Sequence, residues 1–275
     1  MPHALVLHLH PECDLLPSDG DGRHLHALFL DLMRQADPGV AETLHGEAPV
    51  RPFTVGPLRP LDRDARRARE QGEMLPAGTP CALRVTLLED GLFAPLSRLF
   101  LTRSPCLRLG QKMLTLSRLL ATPESGEPGV GIASYGDIEG AAGVSRSIAL
   151  RFLSPTAFRD GDHDLPLPVP ALAFGSYLRR WDALSGRPMP EDTAEAIRRH
   201  VMLSGFDRLR PVEVRDQRSK GMGFVGRAFF EVAPKAGEDL ARRVNALADF
   251  AFFCGTGKKT TMGMGQTVRD RRGVA

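Results

Sequence analysis

The sequence predicts an α+β protein made of two tandem ferredoxin-like, RRM-like domains, and three observations lead there. Short apolar runs of strand length alternate with amphipathic helical stretches and hairpins, instead of one long strand–helix series. Each half reads approximately as β-α-β-β-α-β, the ferredoxin-like order. Between the halves, residues 126–143 hold Gly126, Gly129, Gly131, Gly136, Gly140 and Gly143, a density that reads as a linker. The expected division is therefore 1–125 for the first domain, 126–145 for a glycine-rich linker and 146–275 for the second domain.

In the first half, Ala4–Leu9 is an apolar strand stopped by Pro11. Leu25, Leu28, Phe29, Leu32 and Met33 recur at helical spacing within Gly22–Ala36. Asp37-Pro38, a capping residue with proline at the first helical position, starts a short helix ending near Leu44. Pro52–Leu58 reads as extended, Asp62–Gly72 as a charged connector, Cys81–Leu88 as a strand and Gly91–Leu101 as a helix. Leu107–Leu120 supplies the last strand material. In the second half, Ser147–Leu153 is a strand that should end at Ser154-Pro155. Helices follow near Ala171–Leu184 and Glu191–Met202. Arg210–Gln217 and Gly223–Val232 form a hairpin, Glu238–Phe253 a helix and Met262–Arg269 a closing strand. Phe174, Tyr177 and Trp181 share a helical face and read as core.

The chain has 275 residues, 42% of them hydrophobic and 25% charged, which is ordinary for a globular protein. Its net charge is only +3, so no polyanionic partner is demanded by the whole molecule. The distribution says more. From Leu240 to the end, Arg242, Arg243, Lys258, Lys259, Arg269, Arg271 and Arg272 face only Asp249 and Asp270, a local excess suited to phosphates or to a solvated tail. Cys13, Cys81, Cys106 and Cys254 form no CxxC pair, which argues against a structural zinc site and fits a reducing cytoplasm. No signal peptide and no membrane-length apolar run are evident, so a soluble cytoplasmic protein without a metal or cofactor is expected.

The most distinctive segment is Gly255-Thr-Gly-Lys-Lys-Thr-Thr-Met-Gly-Met-Gly-Gln266. A P-loop needs Ser or Thr directly after Gly-Lys and a helix behind it; here Lys259 follows Lys258, and Gly263 and Gly265 stand where the helix would begin. Nucleotide hydrolysis is not expected on that mismatch. Gly255, Gly257, Gly263 and Gly265 nevertheless allow backbone N–H groups to converge on an anion, with Lys258, Lys259 and Thr260 adding charge and a hydroxyl. RNA backbone binding is the expectation, beside the plainer one of a tight turn. A second segment, Lys220-Gly-Met-Gly-Phe-Val-Gly-Arg227, fits part of an RNA-recognition signature, with Lys220 and Phe224 in place and Met222 where an aromatic would stack on a base. Simple strand alternation accounts for Phe224 and Val225 equally well. Among the eight histidines, His24, His26 and His45 cluster in the first half. His24 and His26 point to different sides of a helix.

Together these segments resemble the CRISPR-associated endoribonuclease family that cuts precursor CRISPR RNA within its repeats, a branch of the RAMP superfamily. The resemblance rests on Gly22–Leu30, Leu44-His45 with Arg51–Leu58, Phe152–Phe158, and Gly223–Gly226 with the terminal glycine loop. It implies metal-independent attack of a ribose 2′-OH on the adjacent phosphate, leaving a 2′,3′-cyclic phosphate and a 5′-OH and yielding CRISPR guide RNAs. It places His45 on the family's catalytic histidine and Arg51 near a lysine that stabilises the phosphate. A tyrosine found in some members is replaced here by Leu30 or Phe29, and His26 is the substitute on the same face. The implied partners are CRISPR repeat RNA, subunits of a CRISPR effector complex and a second copy of the chain. The competing reading is a non-catalytic RAMP subunit that holds guide RNA inside such a complex.

Overall fold

A computed structural model describes residues 1–46, 48–216 and 219–271, with backbone alone at 215, 216, 219 and 220. The first unit runs β1 (His3–Pro11), α1 (Gly22–Ala36), α2 (Pro38–His45), β2 (Phe53–Val55), β3 (Arg59–Pro60), α3 (Arg63–Glu70), β4 (Cys81–Leu87), α4 (Asp90–Thr102), β5 (Leu107–Leu109) and β6 (Lys112–Leu120). Then come β7 (Gly131–Ile132) and α5 (Tyr135–Gly140). The second unit runs β8 (Ser147–Thr156), β9 (Phe158–Asp160), β10 (His163–Leu165), α6 (Pro170–Leu184), α7 (Thr193–His200), β11 (Val201–Asp216), β12 (Ser219–Val232), α8 (Gly237–Cys254) and β13 (Thr267–Arg269).

Both main sheets are antiparallel. The first has the order β2-β4-β1-β6-β5, the second β11-β12-β8-β13. With β5 and β6 taken as one arm, both read second, third, first, fourth strand, the ferredoxin-like arrangement twice over. Fold class and tandem architecture are as the sequence predicts.

Local chemistry explains the elements that carry the site. Asp21 caps α1 by accepting from the Arg23 and His24 amides, and Asp37 caps α2 by accepting from Gly39 and Val40. The apolar stripe of α1 buries Leu25, Leu28, Phe29, Leu32 and Met33 against the first sheet. On β4, Cys81, Leu83, Val85 and Leu87 join that core. The alternate residues Arg84 and Thr86 face the other way, toward the second unit. Thr86 Oγ1 donates to the Phe253 carbonyl (2.7 Å). Arg84 Nε donates to Gly129 O (2.7 Å), Nη2 to Phe252 O (2.8 Å), and its guanidinium lies 4.4 Å from the centre of the Phe252 ring. The end of α8 is thus clamped onto the back of the first sheet.

Residues 126–145, expected as a linker, hold two elements. β7 pairs with β1, and α5 sends Tyr135 and Ile138 into the second core, Tyr135 edge-on to Trp181. The glycines there mislead by number: Gly136 and Gly140 lie within α5, while Gly126 and Gly129 adopt positive φ. Four further differences share a cause, the absence of an apolar period to read. The charged connector contains α3, which buries no residue of its own. α7 stops at His200, and the edge strand β11 begins at Val201, far earlier than Arg210. β8 passes through Ser154-Pro155 to Thr156 by bulging. Only Thr267–Arg269 of the closing segment is strand, residues 262–266 being loop.

Candidate functional site

Three side chains predicted as catalytic come together where α1, α2 and β2 meet. His26 lies on the inner side of α1, its ring stacked on Phe53 at 5.6 Å between centroids. Its Nδ1 is buried and, among the described residues, has no hydrogen-bond partner. Burial pushes the His26 pKa down; the backbone of Thr261 partly offsets this, and the neighbouring Arg51 and His45 charges lower it further. His45, exposed, is the last residue of α2. Arg51 reaches back from the segment before β2 and donates through Nη1 to Leu44 O (2.6 Å) and Gly46 O (2.5 Å). It thereby satisfies carbonyls at the end of the helix that carries His45. Among the described residues its Nε and Nη2 make no hydrogen bond. Such a trio supplies an imidazole held neutral, an exposed imidazole and a fixed cation, the groups that proton transfer around a phosphodiester requires.

The other histidine of that helix is elsewhere. His24 Nδ1 lies 3.1 Å from Asp19 O and its ring lies against Gly110, on a different side of α1. Phe29 and Leu30, expected to stand where some relatives have a tyrosine, are buried in the first core.

Most amides of the glycine loop donate within the fold, where the sequence suggests an open cradle. The amides of Thr256, Lys258, Gly263 and Gly265 donate to Gly265 O, Ala157 O, Val55 O and Pro155 O. Gly257 N donates to Ser176 Oγ and Gln266 N to Ser154 Oγ. Thr260 is buried, its carbonyl accepting from Val55 N and its hydroxyl from Arg180. Gly255, Gly257, Gly263 and Gly265 all take positive φ and are buried. A Cβ at Gly257 or Gly265 would sit 2.2 or 2.1 Å from a carbonyl oxygen. Thr260 and Gly263, through their bonds to Val55, fasten the two units together, while the remaining loop bonds hold the loop within the second unit. Lys258 forms an ion pair with Asp164, and Lys259 holds a strained φ of 53°.

The second RNA-recognition segment is corrected too. Phe224 is 1% exposed and packs edge-on to Phe152 at 4.8 Å, so it cannot stack on a base. The side chain of Lys220, like Arg272 of the basic end, lies outside the described residues. Phe174, Tyr177 and Trp181 are core, as expected. The Tyr177 and Thr256 hydroxyls share a 2.6 Å hydrogen bond that ties α6 to the loop.

One large feature escapes the sequence reading. A groove of about 920 Å³ runs between β3–α3 of the first unit and β8, β11 and β12 of the second. Arg59, Arg66, Arg67, Arg69, Arg151, Arg208, Arg210 and Arg227 line it, against Glu70 and Asp207. Arg66 and Arg69 are spent on carbonyls of Pro60, Leu61, Leu15 and Leu16. Arg227 pairs with Asp207 and Asp270. Among the described residues, Arg67, Arg151 and Arg210 have no carboxylate or carbonyl partner, and the carboxylate whose charge Arg59 feels is Glu127. A smaller cavity lined by Gly22, Leu25, Met262 and Gly263 shares Pro57 and Pro155 with the groove, extending it toward the glycine loop. No group of three or more His, Cys, Asp or Glu among the described residues could hold a metal ion, and no described helix is long and apolar enough to cross a membrane.

Paired ferredoxin-like units, with a histidine on each of the first two helices and a glycine loop in the seam, define the class, a protein of tandem ferredoxin-like, RRM-like domains. Within it, the chain belongs to the CRISPR-associated endoribonuclease Cas6 family: residues 1–139 match the CRISPR Cas6 N-terminal domain and residues 150–267 match CRISPR-associated endoribonuclease Cas6. Among solved structures it is similar to Thermus thermophilus Cas6 (TTHB231), with 32% identity, TM-score 0.74 and 98% of both chains covered. The product complex of Cas6 (TTHB231) gives 34% identity and TM-score 0.81 over 98% of this chain and 100% of that one. It is also 32% identical over 123 residues to a CRISPR-associated endoribonuclease Cas6 of Mycobacterium tuberculosis, an alignment spanning 44% of this chain and 38% of that protein's length.

Proposed function

We propose that this chain binds CRISPR repeat RNA in the arginine groove and cleaves it by 2′-OH attack, without a metal ion, to release guide RNAs with a 2′,3′-cyclic phosphate end. The observation that carries this reading is the gathering of His26, His45 and Arg51 at the end of α2, beside the loop that joins the two units. His26, kept neutral by burial and by neighbouring positive charge, suits removal of the 2′-OH proton. His45 on the exposed helix end suits protonation of the leaving 5′-oxygen. Arg51, with Nη1 committed to the helix carbonyls, has Nη2 left for the charged phosphate. The similarity to a Cas6 product complex supports the same reading.

The test is incubation of the purified protein with repeat RNA in EDTA, followed by end analysis of the products. Cleavage to a cyclic phosphate and a 5′-OH is expected; intact RNA would refute the nuclease reading. Binding with no cleavage would favour the alternative of a guide-RNA subunit within an effector complex. Single-turnover rates of His45→Ala and His26→Ala should each fall by about 10²–10⁴. An undiminished rate removes that histidine from the chemistry.

A further inference from the structure

The groove owes its shape to a break in the second sheet at Gly226. On one side β11 slips register between Asp207 and Arg210, placing an extra residue opposite β12. On the other side β8 slips where β12 passes from Phe224 to Gly226, so Leu153, Ser154 and Pro155 stand against one residue of β12 and bond to the glycine loop instead. Gly226 takes φ of 128°, and a Cβ there would lie 2.5 Å from Arg208 O and 2.7 Å from Leu209 Cα. Only glycine lets the β11 bulge close down onto β12.

The residue at the crest of that bulge is not a glycine. Arg208 has φ of 49°, a left-handed conformation that a side chain with a Cβ disfavours. Its side chain is 91% exposed and lines the groove. Its nearest carboxylate is Asp207, 4.0 Å away and itself near Arg227. Among the described residues, the 4.0 Å approach to Asp207 is the ion pair its side chain makes, too weak to offset the strain, so the long basic side chain is what the position retains. Arg151 and Arg210 flank it on the same groove wall.

We infer that Arg208 is a phosphodiester-binding residue, held in a strained backbone at the β11 bulge so that its guanidinium projects into the groove against the RNA backbone. This rests on the RNA-binding reading above. Because the contact is to phosphate, it supports affinity across sequences and not base choice.

The proposal predicts opposite signs for stability and binding in one variant. Arg208→Gly relieves the left-handed strain and should raise Tm by about 2 °C. The same change should weaken binding of a fluorescein-labelled CRISPR repeat RNA by about tenfold near 0.15 M salt and reduce the salt slope by about one. A repeat carrying 2′-O-methyl sugars is used, because it retains every phosphate and cannot undergo 2′-OH attack. Arg208→Lys should recover most of the affinity, and Arg208→Ala should lose affinity without the gain in Tm. Wild-type affinity and salt slope in both Arg208→Gly and Arg208→Ala would overturn the assignment. Failure of the wild-type protein to bind the repeat would instead overturn the functional reading, and the assignment with it.

Discussion

His26 couples the chemistry of the site to the stability of the fold. Its folded pKa lies below the ordinary imidazole value of about 6.5, so on acidification the unfolded chain takes up its proton first. The stability this neutral ring preserves is complete above pH 6.5 and is lost as pH falls below that value. The expected outcome is that the wild-type Tm drops more between pH 7 and pH 5 than that of His26→Gln. His3, lowered by burial and by the N-terminal charge, contributes equally to both proteins, so their difference reports His26. Equal slopes would show that the ring is not protected from protonation. Gly257 gives a second residue-scale prediction. Its φ of 73° and the 2.2 Å approach of Ala157 O leave no room for a methyl group, so Gly257→Ala should cost about 3 kcal/mol or more in urea denaturation. At this scale the sequence discloses residue types and their spacing, enough to select His26, His45 and Arg51. It does not disclose which face of a strand is covered. Phe224 satisfies the same alternation whether it meets solvent or the core, and tertiary packing decided for the core.

At the scale of elements, α2 shows how one distant side chain finishes a helix. Arg51→Ala would strip Leu44 O and Gly46 O of a charged donor, with an expected loss of about 1.5 kcal/mol and a fall in cleavage rate through His45 as well as through the phosphate. Arg51→Lys, which can satisfy carbonyls but lacks the planar fork, should recover stability more than rate. Comparing thermal melts with single-turnover rates separates the two effects. Long amphipathic helices such as α1, α6 and α8 are legible in the sequence because a buried stripe leaves a period. The arginine-rich α3 leaves none. Its place is fixed by Arg66 and Arg69 reaching backbone carbonyls up to 54 positions away in sequence, contacts that no local pattern encodes. The groove was invisible for the same reason: its arginines come from five separated stretches, and their net charge is diluted along the chain.

For the whole molecule, the seam is the governing structure. Arg84 is buried in it, its two donated bonds joining the first sheet to the end of α8 and to Gly129. Arg84→Ala leaves those carbonyls bare and opens a cavity, so it should cost about 3 kcal/mol. It should also split a single calorimetric transition into two, because the units would no longer unfold together. One transition in the variant would show that the clamp is not what couples them. RNA affinity is expected to fall steeply between 50 and 200 mM salt, as the open arginines of the groove imply. A flat response would remove the groove as the binding surface.

The glycine loop also covers an edge. β2 is the outermost strand of the first sheet, and the outward N–H and C=O of Val55 are taken by Thr260 and Gly263. The ribosome makes that edge roughly two hundred residues before it makes the cover, a delay on the order of tens of seconds at typical elongation rates. During that interval the nascent chain presents an unpaired strand, a template for association with other chains. Release of residues 1–145 by a premature stop should therefore yield a self-associating product, and addition of the completed protein would not rescue it.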